Sequence, residues 1–433
     1  MTALNQTPLE IAPLAENQRQ TIAVIGAGFV GLCSALWLQR AGHKVTIIDP
    51  EPPTGNVSYR NACSYGNACT IAAHAVLPVG TPGIVWDVPR MLLRADAPLS
   101  IIWRYLPQLA PWLIAFLSAS RTKEVERISS VLGQMLYHAD AAWLPLMQQS
   151  ESMHLRRENG CLYLYKSEAD YRSAEQNDRL RAKYGVAIDE VSRDEIRDLE
   201  PNLAPVYERG ALYRDSFNLW SPLQLAQALA RAFEAAGGTF VRQEALNVEA
   251  NETGGKVHTS GDPVEAGHIV IAAGAHSKRF CAQLGDKVLL DTERGYHVLF
   301  PEGRDLLNRP VCYPEHGFYM VPMQNGIRTV GTVEFGGLKR PLNPKRTAML
   351  RNATPKLLPN VGTATDEWMG FRPSMPDSLP VIGPSPKSPN VTYAFGHGHI
   401  GLTLGALTGY LVAQNIAGQQ TLIDVEPLRP VRF

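Results

Sequence analysis

The 433-residue chain lacks several things, and each lack excludes a class of function. It has no net charge, with 41 Lys and Arg against 41 Asp and Glu. It therefore carries no basic surplus for a nucleic acid, and no such partner is expected. It has only six cysteines, at 33, 63, 69, 161, 281 and 312, and no CxxC pair. Thiols this sparse build neither a disulfide framework nor a zinc site, and they suit a reduced, cytoplasmic setting. It also lacks an uninterrupted apolar run. The most apolar stretch, "PLSIIWRYLPQLAPWLIAFLSASR" over 98–121, is broken by Arg104, Pro107 and Pro111 and does not read as a spanning helix. The opening "MTALNQTPLEIAPLAENQRQ" has no basic-then-apolar order of a secretory signal, and residues 1–20 are expected to be a loose leader. What remains, 45% apolar and 19% charged, is ordinary for a globular chain of two or three domains.

One motif stands out from Thr21, in "TIAVIGAGFVGLCSALWLQRAGHKVTIID". "IAVI" suits a buried parallel strand, and "KVTII" a second one. Between them, Gly26, Gly28 and Gly31 have G-x-G-x-x-G spacing and open a helical pattern through Phe29 and Val30 that closes at Gly42. Gly26 suits the tight turn, Gly28 a close approach of backbone to a pyrophosphate, and Gly31 the packing of helix on strand. The helix N-terminus offers free N–H groups to phosphate oxygens. Asp49 ends the second strand, where a carboxylate can accept from ribose hydroxyls. This unit points to a dinucleotide but does not by itself choose between NAD and FAD.

The choice comes from the far end of the chain. "GFRPSMPDSLPVIG" (370–383) and "AFGHGHIGLTLGALTGYLVAQNIAG" (394–418), taken with the opening unit, resemble the FAD-dependent D-amino-acid oxidase and dehydrogenase superfamily. The closest likeness is to bacterial D-amino-acid dehydrogenases, with glycine and sarcosine oxidases as cousins, and it covers nearly everything after Thr21. It implies an α/β fold: a Rossmann-type, glutathione-reductase-like FAD-binding domain over 21–97, 221–292 and 366–433. An α+β substrate domain with a mostly antiparallel sheet is interleaved with it over 98–220 and 293–365. It also implies that Gly398, His399, Ile400, Gly401, Leu402 and Thr403 aim a helix N-terminus at the pyrimidine side of the flavin, where charge gathers on reduction. Backbone around Ala245 is expected to meet the adenine, and Ala273 and Gly274 to lie near the ribose. "EALNVEA" and "HIVIAAGAHS" are expected as strands of the nucleotide domain. No metal is expected, because His397 and His399 have no third ligand nearby in sequence.

Between these ends, Ser58 to Cys69 says nearly the same thing twice: "SYRNAC", then "SYGNAC". The family carries one such segment beside the flavin, ending in glycine. The second copy, with Gly66 in place of Arg60, is expected to face the cofactor through Ser64, Gly66, Asn67 and Ala68. Cys69 then stands where glycine is usual, which puts a left-handed backbone there in question. The stretch "MQNGIRTVGTVEF", where sarcosine oxidases tether their flavin, has no cysteine, so non-covalent FAD is expected.

On the substrate side, the resemblance gives Arg372 of "GFRP" a bidentate grip on the substrate carboxylate. Tyr319 of "GFYMVP" would add its hydroxyl, with Tyr296 and Arg294 as further candidates for lining the pocket. The alternatives are a structural ion pair between Arg372 and Asp377, and a plain strand aromatic at Tyr319. The implied reaction is hydride transfer from the α-carbon of a D-amino acid to flavin N5, giving an imino acid that hydrolyses to a 2-oxo acid and ammonia. A quinone-type acceptor follows from the same likeness. Rival readings are a cyclic or secondary amine substrate, an oxidase, or a non-catalytic FAD-binding subunit. The 98–121 stretch reads either as two short helices packed in the substrate domain or as a peripheral contact with the inner membrane through 98–117, anchored by Trp103 and Trp112.

Overall fold

The computed structural model of the protein describes residues 6–83 and 99–433. The glycine motif sits where its spacing puts it. Strand Thr21–Ile25 leads through Gly26–Gly28 into helix Phe29–Arg40 and out to strand Lys44–Ile48. These strands are the centre of a six-stranded sheet in the order Thr239–Val241, Lys44–Ile48, Thr21–Ile25, His268–Ile271, Val391–Phe395, Val381–Pro384. The first four pairings are parallel and the last is antiparallel. Near-continuous burial of Ile22–Ile25 and His268–Ile271 follows from having both faces covered. One face carries helices Phe29–Arg40, Pro222–Ala235 and Gly401–Ile416. Gly409 lets the last of these approach helix Phe29–Arg40 closely, since a Cβ there would lie 2.6 Å from the Cys33 carbonyl. The other face is covered by a three-stranded sheet of Ala245–Asn251, Gly254–Thr259 and Val264–Ala266. "EALNVEA" therefore belongs to this covering layer, while "HIVI" is in the main sheet.

The second body is a nine-stranded sheet. Its path runs Asp366–Ser374, Asp291–Phe300, Gly326–Phe335, Phe318–Met323, Val311–Tyr313, Cys161–Tyr165, Arg209–Tyr213, Ile188–Ser192, with Leu99–Ile101 added beside Gly326–Phe335. All pairings are antiparallel except two, Val311–Tyr313 with Cys161–Tyr165 and Leu99–Ile101 with Gly326–Phe335. Helix Pro344–Leu357 closes one face over Tyr296, Val298, Phe318 and Met320. The other face looks toward the nucleotide-binding body.

The bodies interleave differently from the expected division. Strand Asp366–Ser374, placed by the boundary at 366 with the nucleotide-binding part, is the edge of the nine-stranded sheet. Helices Thr122–Tyr137 and Ala139–Gln149 fall within 98–220 yet pack on helix Gly401–Ile416: Ile128, Leu132, Trp143 and Leu146 share a core with Leu404 and Leu407. The boundary between 97 and 98 lies outside the described residues.

Two further expectations change. From Gln6 onward the leader is laid down on the body rather than loose. Leu9 N–H donates to the Ala141 carbonyl, Leu14 N–H to Ala41, and Tyr410 Oη to the Glu10 carbonyl. Each bond satisfies a backbone group that polar composition alone leaves unassigned. The described part of 98–121 is neither two helices nor a strip of outward tryptophans. It forms strand Leu99–Ile101, a 3₁₀ turn at Trp103–Tyr105 and one helix, Leu106–Ala119. Trp112 is buried on Phe116 and Phe335 and donates to the Ser374 carbonyl at 3.0 Å. Trp103, Ile114 and Leu117 are exposed.

Candidate active site

Two segments meet the open face of the nine-stranded sheet, the doubled hexapeptide and the loop before helix Gly401–Ile416, and the hexapeptide in turn braces the glycine turn at 26–31. At the glycine turn, Gly26 has φ +106° and a Cβ there would lie 2.7 Å from the Ala272 carbonyl, so only glycine fits. A Cβ on Gly31 would overlap the Gly26 carbonyl. Gly28 instead has only Ser64 Oγ within 4 Å, and Gly274 and Gly398 have nothing. Gly274 and Gly398 thus face open space and Gly28 meets only a hydroxyl, which leaves the backbone accessible in the way a dinucleotide needs. Asp49 accepts from the N–H groups of Ala27 and Glu51, both at 2.8 Å, and burial pushes its carboxyl up from its usual value. Phe29 and Val30 open the helix, with Phe29 N–H donating to Ser64 Oγ at 3.4 Å. The backbone of Ala245 accepts from Arg279 at 2.6 Å, and Ala273 caps the short turn that holds Gly274 at φ +56°. The donor geometry and the open glycines fit FAD.

Both copies of the hexapeptide are in use. In the first, buried Tyr59 donates to the Ala27 carbonyl at 3.1 Å and Asn61 donates to Glu51, so this copy braces the glycine turn and the neighbourhood of Asp49. The second copy lies against the sheet face. Arg328 donates to the carbonyls of Tyr65 and Asn67 at 2.9 and 3.1 Å, and His297 Nδ1 meets the Gly66 carbonyl at 3.1 Å. A side chain at Gly66 would run into the Trp368 ring. Ala68 packs against the main core. Cys69 does adopt the left-handed conformation, at φ +49°, and its N–H is held by Asn67 Oδ1 at 2.7 Å.

The sheet register sorts the substrate-side candidates. Arg372 is opposite Glu293, Trp368 is opposite His297, His297 opposite Val330, and Val330 opposite Tyr319. Directly paired residues share a face, so Arg372 and Tyr319 lie on the same, open side. Gly295 leaves room for the Arg372 side chain to cross its strand and donate to the Thr332 carbonyl at 3.2 Å. Among the described residues Arg372 has no carboxylate within ion-pair distance. Asp377 is taken by Arg432 at 2.7 Å, which removes the structural ion pair as an explanation for Arg372. Tyr296 and Arg294 are one residue out of phase and point to the closed face. Tyr296 donates to Glu334 at 2.8 Å, Arg294 forms a buried ion pair with the same carboxylate at 2.5 Å, and both are shut off by the packing over that face. Their expected place in the pocket is therefore not borne out.

The loop before the last helix is tied to the same edge. Gly398 N–H donates to the Pro373 carbonyl at 2.7 Å, and His399 Nε2 pairs with Glu293 at 2.8 Å. Ile400 caps the helix that Gly401 and Leu402 begin, and Thr403 Oγ1 accepts from Ala72 N–H at 3.0 Å. His397 is buried on Thr408 and held neutral, its imidazole pushed down to about 3 by burial. No group of three metal-ligating side chains occurs among the described residues.

Sequence reasoning missed Glu293, Arg328, His297, Tyr163 and His74. No motif carries them; for the first four the only signal is strand alternation, which becomes useful once the register is known, and His74 lies in a turn after strand Thr70–Ile71 with no signal at all.

Comparison with known proteins places the site in context. The model of the FAD dependent oxidoreductase family matches residues 21–415. A D-amino-acid oxidase of Bradyrhizobium diazoefficiens is 37% identical over 423 residues, covering 95% of this chain and 98% of that one. A D-amino acid dehydrogenase of Vibrio vulnificus is 28% identical over 408 residues, covering 92% and 96%. Among solved structures, glycine oxidase from Geobacillus kaustophilus superposes with a TM-score of 0.72 at 21% identity over 96% of this chain and 99% of that one. L-proline dehydrogenase from P. horikoshii gives 0.69 at 18% over 98% of each. The likeness to these two structures is one of fold. The chain belongs to the FAD dependent oxidoreductase family and is an FAD-dependent amino-acid oxidase or dehydrogenase.

Proposed function

We propose that this enzyme oxidises a D-amino acid to the imino acid, which hydrolyses to a 2-oxo acid and ammonia, and passes the electrons to a quinone-type acceptor. The observation that carries the substrate class is Arg372: a guanidinium on the open sheet face, crossing Gly295 and donating to a backbone carbonyl, with its nearest carboxylate, Glu293, bonded to His399 and Ser374 instead. A planar fork in that state suits a bidentate oxyanion, and the amino-acid names of the relatives favour a carboxylate as that oxyanion. The names of the Bradyrhizobium and Vibrio relatives support the D-configuration.

Bound FAD supplies the hydride acceptor. The chain's own residues then have three tasks. Arg372 fixes the carboxylate, and Tyr319 adds a hydroxyl from the same face. Holding the carboxylate fixes which side of the α-carbon is presented, so geometry sets chirality. The second hexapeptide, held on the sheet face by Arg328 and His297, supplies a wall beside the substrate. Gly26, Gly28, Gly31, Asp49, Ser64, Gly66, Gly274 and the 398–403 loop hold the cofactor without a covalent link. Acid precipitation of the protein should release all of the flavin.

For a quinone acceptor, Trp103, Ile114 and Leu117 offer an exposed apolar strip for peripheral contact with a membrane surface. No described helix is long and apolar enough to cross one. A second reading, oxygen as acceptor, is favoured by the name of the 37%-identical relative, an oxidase. One experiment separates these. The holoenzyme is mixed anaerobically with D- and L-amino acids, glycine, sarcosine and proline derivatives, and flavin absorbance is followed. Bleaching by D-isomers supports the substrate class; faster recovery with quinone than with air supports the acceptor. A flavin that only dithionite bleaches would overturn the proposal.

A further inference from the structure

Behind Tyr319 runs a row of buried polar groups that the proposed function does not use. Tyr319 Oη bonds Tyr163 Oη; Tyr163 Oη meets His74 Nε2 at 3.1 Å; His74 Nδ1 meets Ser216 Oγ at 2.7 Å. His74 is 3% exposed and Ser216 1%. The plane of the imidazole is fixed by stacking on Tyr213 at 4.5 Å and by the edge-on Tyr163 ring at 5.3 Å, and its two hydrogen bonds set which nitrogen faces which hydroxyl. Arg181, held by Asp178 at 2.7 Å, lies over the rings of Tyr163 and Tyr213. Burial first, and the Arg181 charge second, push the His74 imidazole down to about 3. It is therefore neutral, with one N–H and one bare nitrogen.

A neutral histidine in such a row gives it a direction. Each hydroxyl has one proton to donate. If His74 carries its proton on Nδ1, it donates to Ser216 and accepts from Tyr163; Tyr319 must then donate to Tyr163, and it turns only lone pairs toward the site. If the proton is on Nε2, Ser216 donates to His74, His74 to Tyr163 and Tyr163 to Tyr319, which leaves the Tyr319 hydroxyl proton free to point outward. Only the second arrangement can grip a carboxylate. The Cys312 thiol, opposite Tyr319 in the register, is too weak a partner to replace either bond.

We infer that His74 is a positioning residue that, in its Nε2–H tautomer and through Tyr163, makes Tyr319 a hydrogen-bond donor to the substrate carboxylate. This rests on the proposed carboxylate site, and the test is chosen to keep the two apart. Propionate carries the carboxylate without the amine, and its binding to the holoenzyme can be read from the oxidised flavin spectrum without turnover; ethylamine, the amine without the carboxylate, is the control. Tyr319→Phe should weaken propionate by roughly tenfold or more, the scale of a hydrogen bond to a charged group. His74→Phe should weaken it in the same direction, and should add less than about twofold to Tyr319→Phe, because coupled groups are non-additive. His74→Gln, whose amide can still donate to Tyr163, should recover most of the loss, and ethylamine binding should not move. If Tyr319→Phe has no effect, the carboxylate role of Tyr319 fails. If Tyr319→Phe weakens binding but His74→Phe does not, or does so equally in the double variant, the positioning role is overturned. Should His74→Phe not fold, His74→Leu against His74→Gln decides: the first, with no donor to Tyr163, must lose propionate affinity and the second keep it, and equal affinity in the two overturns the positioning role.

Discussion

Glu293 and His399 meet at 2.8 Å across the junction between the open sheet and the loop that begins the last helix. Glu293 is also the register partner of Arg372, so its carboxylate stands next to the guanidinium that the proposed function assigns to substrate. His399 and Ser374, the latter donating at 2.6 Å, draw it away. Replacing His399 by Ala should release Glu293 to fold onto Arg372 as an internal competitor. Half-saturation by substrate should then rise several-fold, and adding Glu293→Gln should bring it back. Anaerobic titration of the two variants measures both; failure of the second change to restore affinity would remove the competition.

The same pair sets an acid limit. Burial works to raise the Glu293 carboxyl, but His399, Ser374 and Arg372 outweigh it and hold the group down to about 2. A carboxyl lower in the folded than in the unfolded chain stabilises the fold above its unfolded value, about 4.3, and that stability drains away as pH falls toward 2. Urea unfolding midpoints should drop across this window in the wild type and drop less steeply in Glu293→Gln.

Asp377 is held by Arg432 and not by Arg372. The Arg432–Asp377 pair is buried, and removing one partner of such a pair costs about 3–5 kcal/mol. Arg432→Met should lower the unfolding midpoint markedly yet leave half-saturation by substrate unchanged in the folded holoenzyme at low temperature.

Cys69 offers a test of sign. At an ordinary right-handed position alanine is more stable than glycine; at φ +49° the order reverses. Cys69→Gly should therefore melt no lower than Cys69→Ala, and Cys69→Ala below the wild type.

Much of the cofactor half was legible in the sequence, because its signals are local. A strand, a turn that only glycine can make, a helix and an acid follow one another within 29 residues, from Thr21 to Asp49. Arg372 was legible through the resemblance carried by its neighbours. Tyr296 and Tyr319 show where locality ends: both are strand tyrosines next to or near glycine, yet the pairing of Gly295 with Val333 and of Tyr296 with Gly331, around Thr332 at φ +56°, sends them to opposite faces. Which face is open is settled by contacts more than a hundred residues apart, such as Arg328 on the second hexapeptide and His399 on Glu293. The docking of residues 6–20 was hidden for the same reason, since their partners at 141 and 410 are far along the chain.

The most direct measurement sets Arg372→Lys against the wild-type holoenzyme, anaerobically, with a D-amino acid that bleaches the flavin and with the amine left when its carboxylate is removed. A lysine keeps the charge but loses the fork. If Arg372 grips the carboxylate, the variant should need roughly tenfold or more of the amino acid for half-reduction, while its slow reaction with the bare amine stays as in the wild type. Equal loss with both compounds, or no loss with the amino acid, would contradict it.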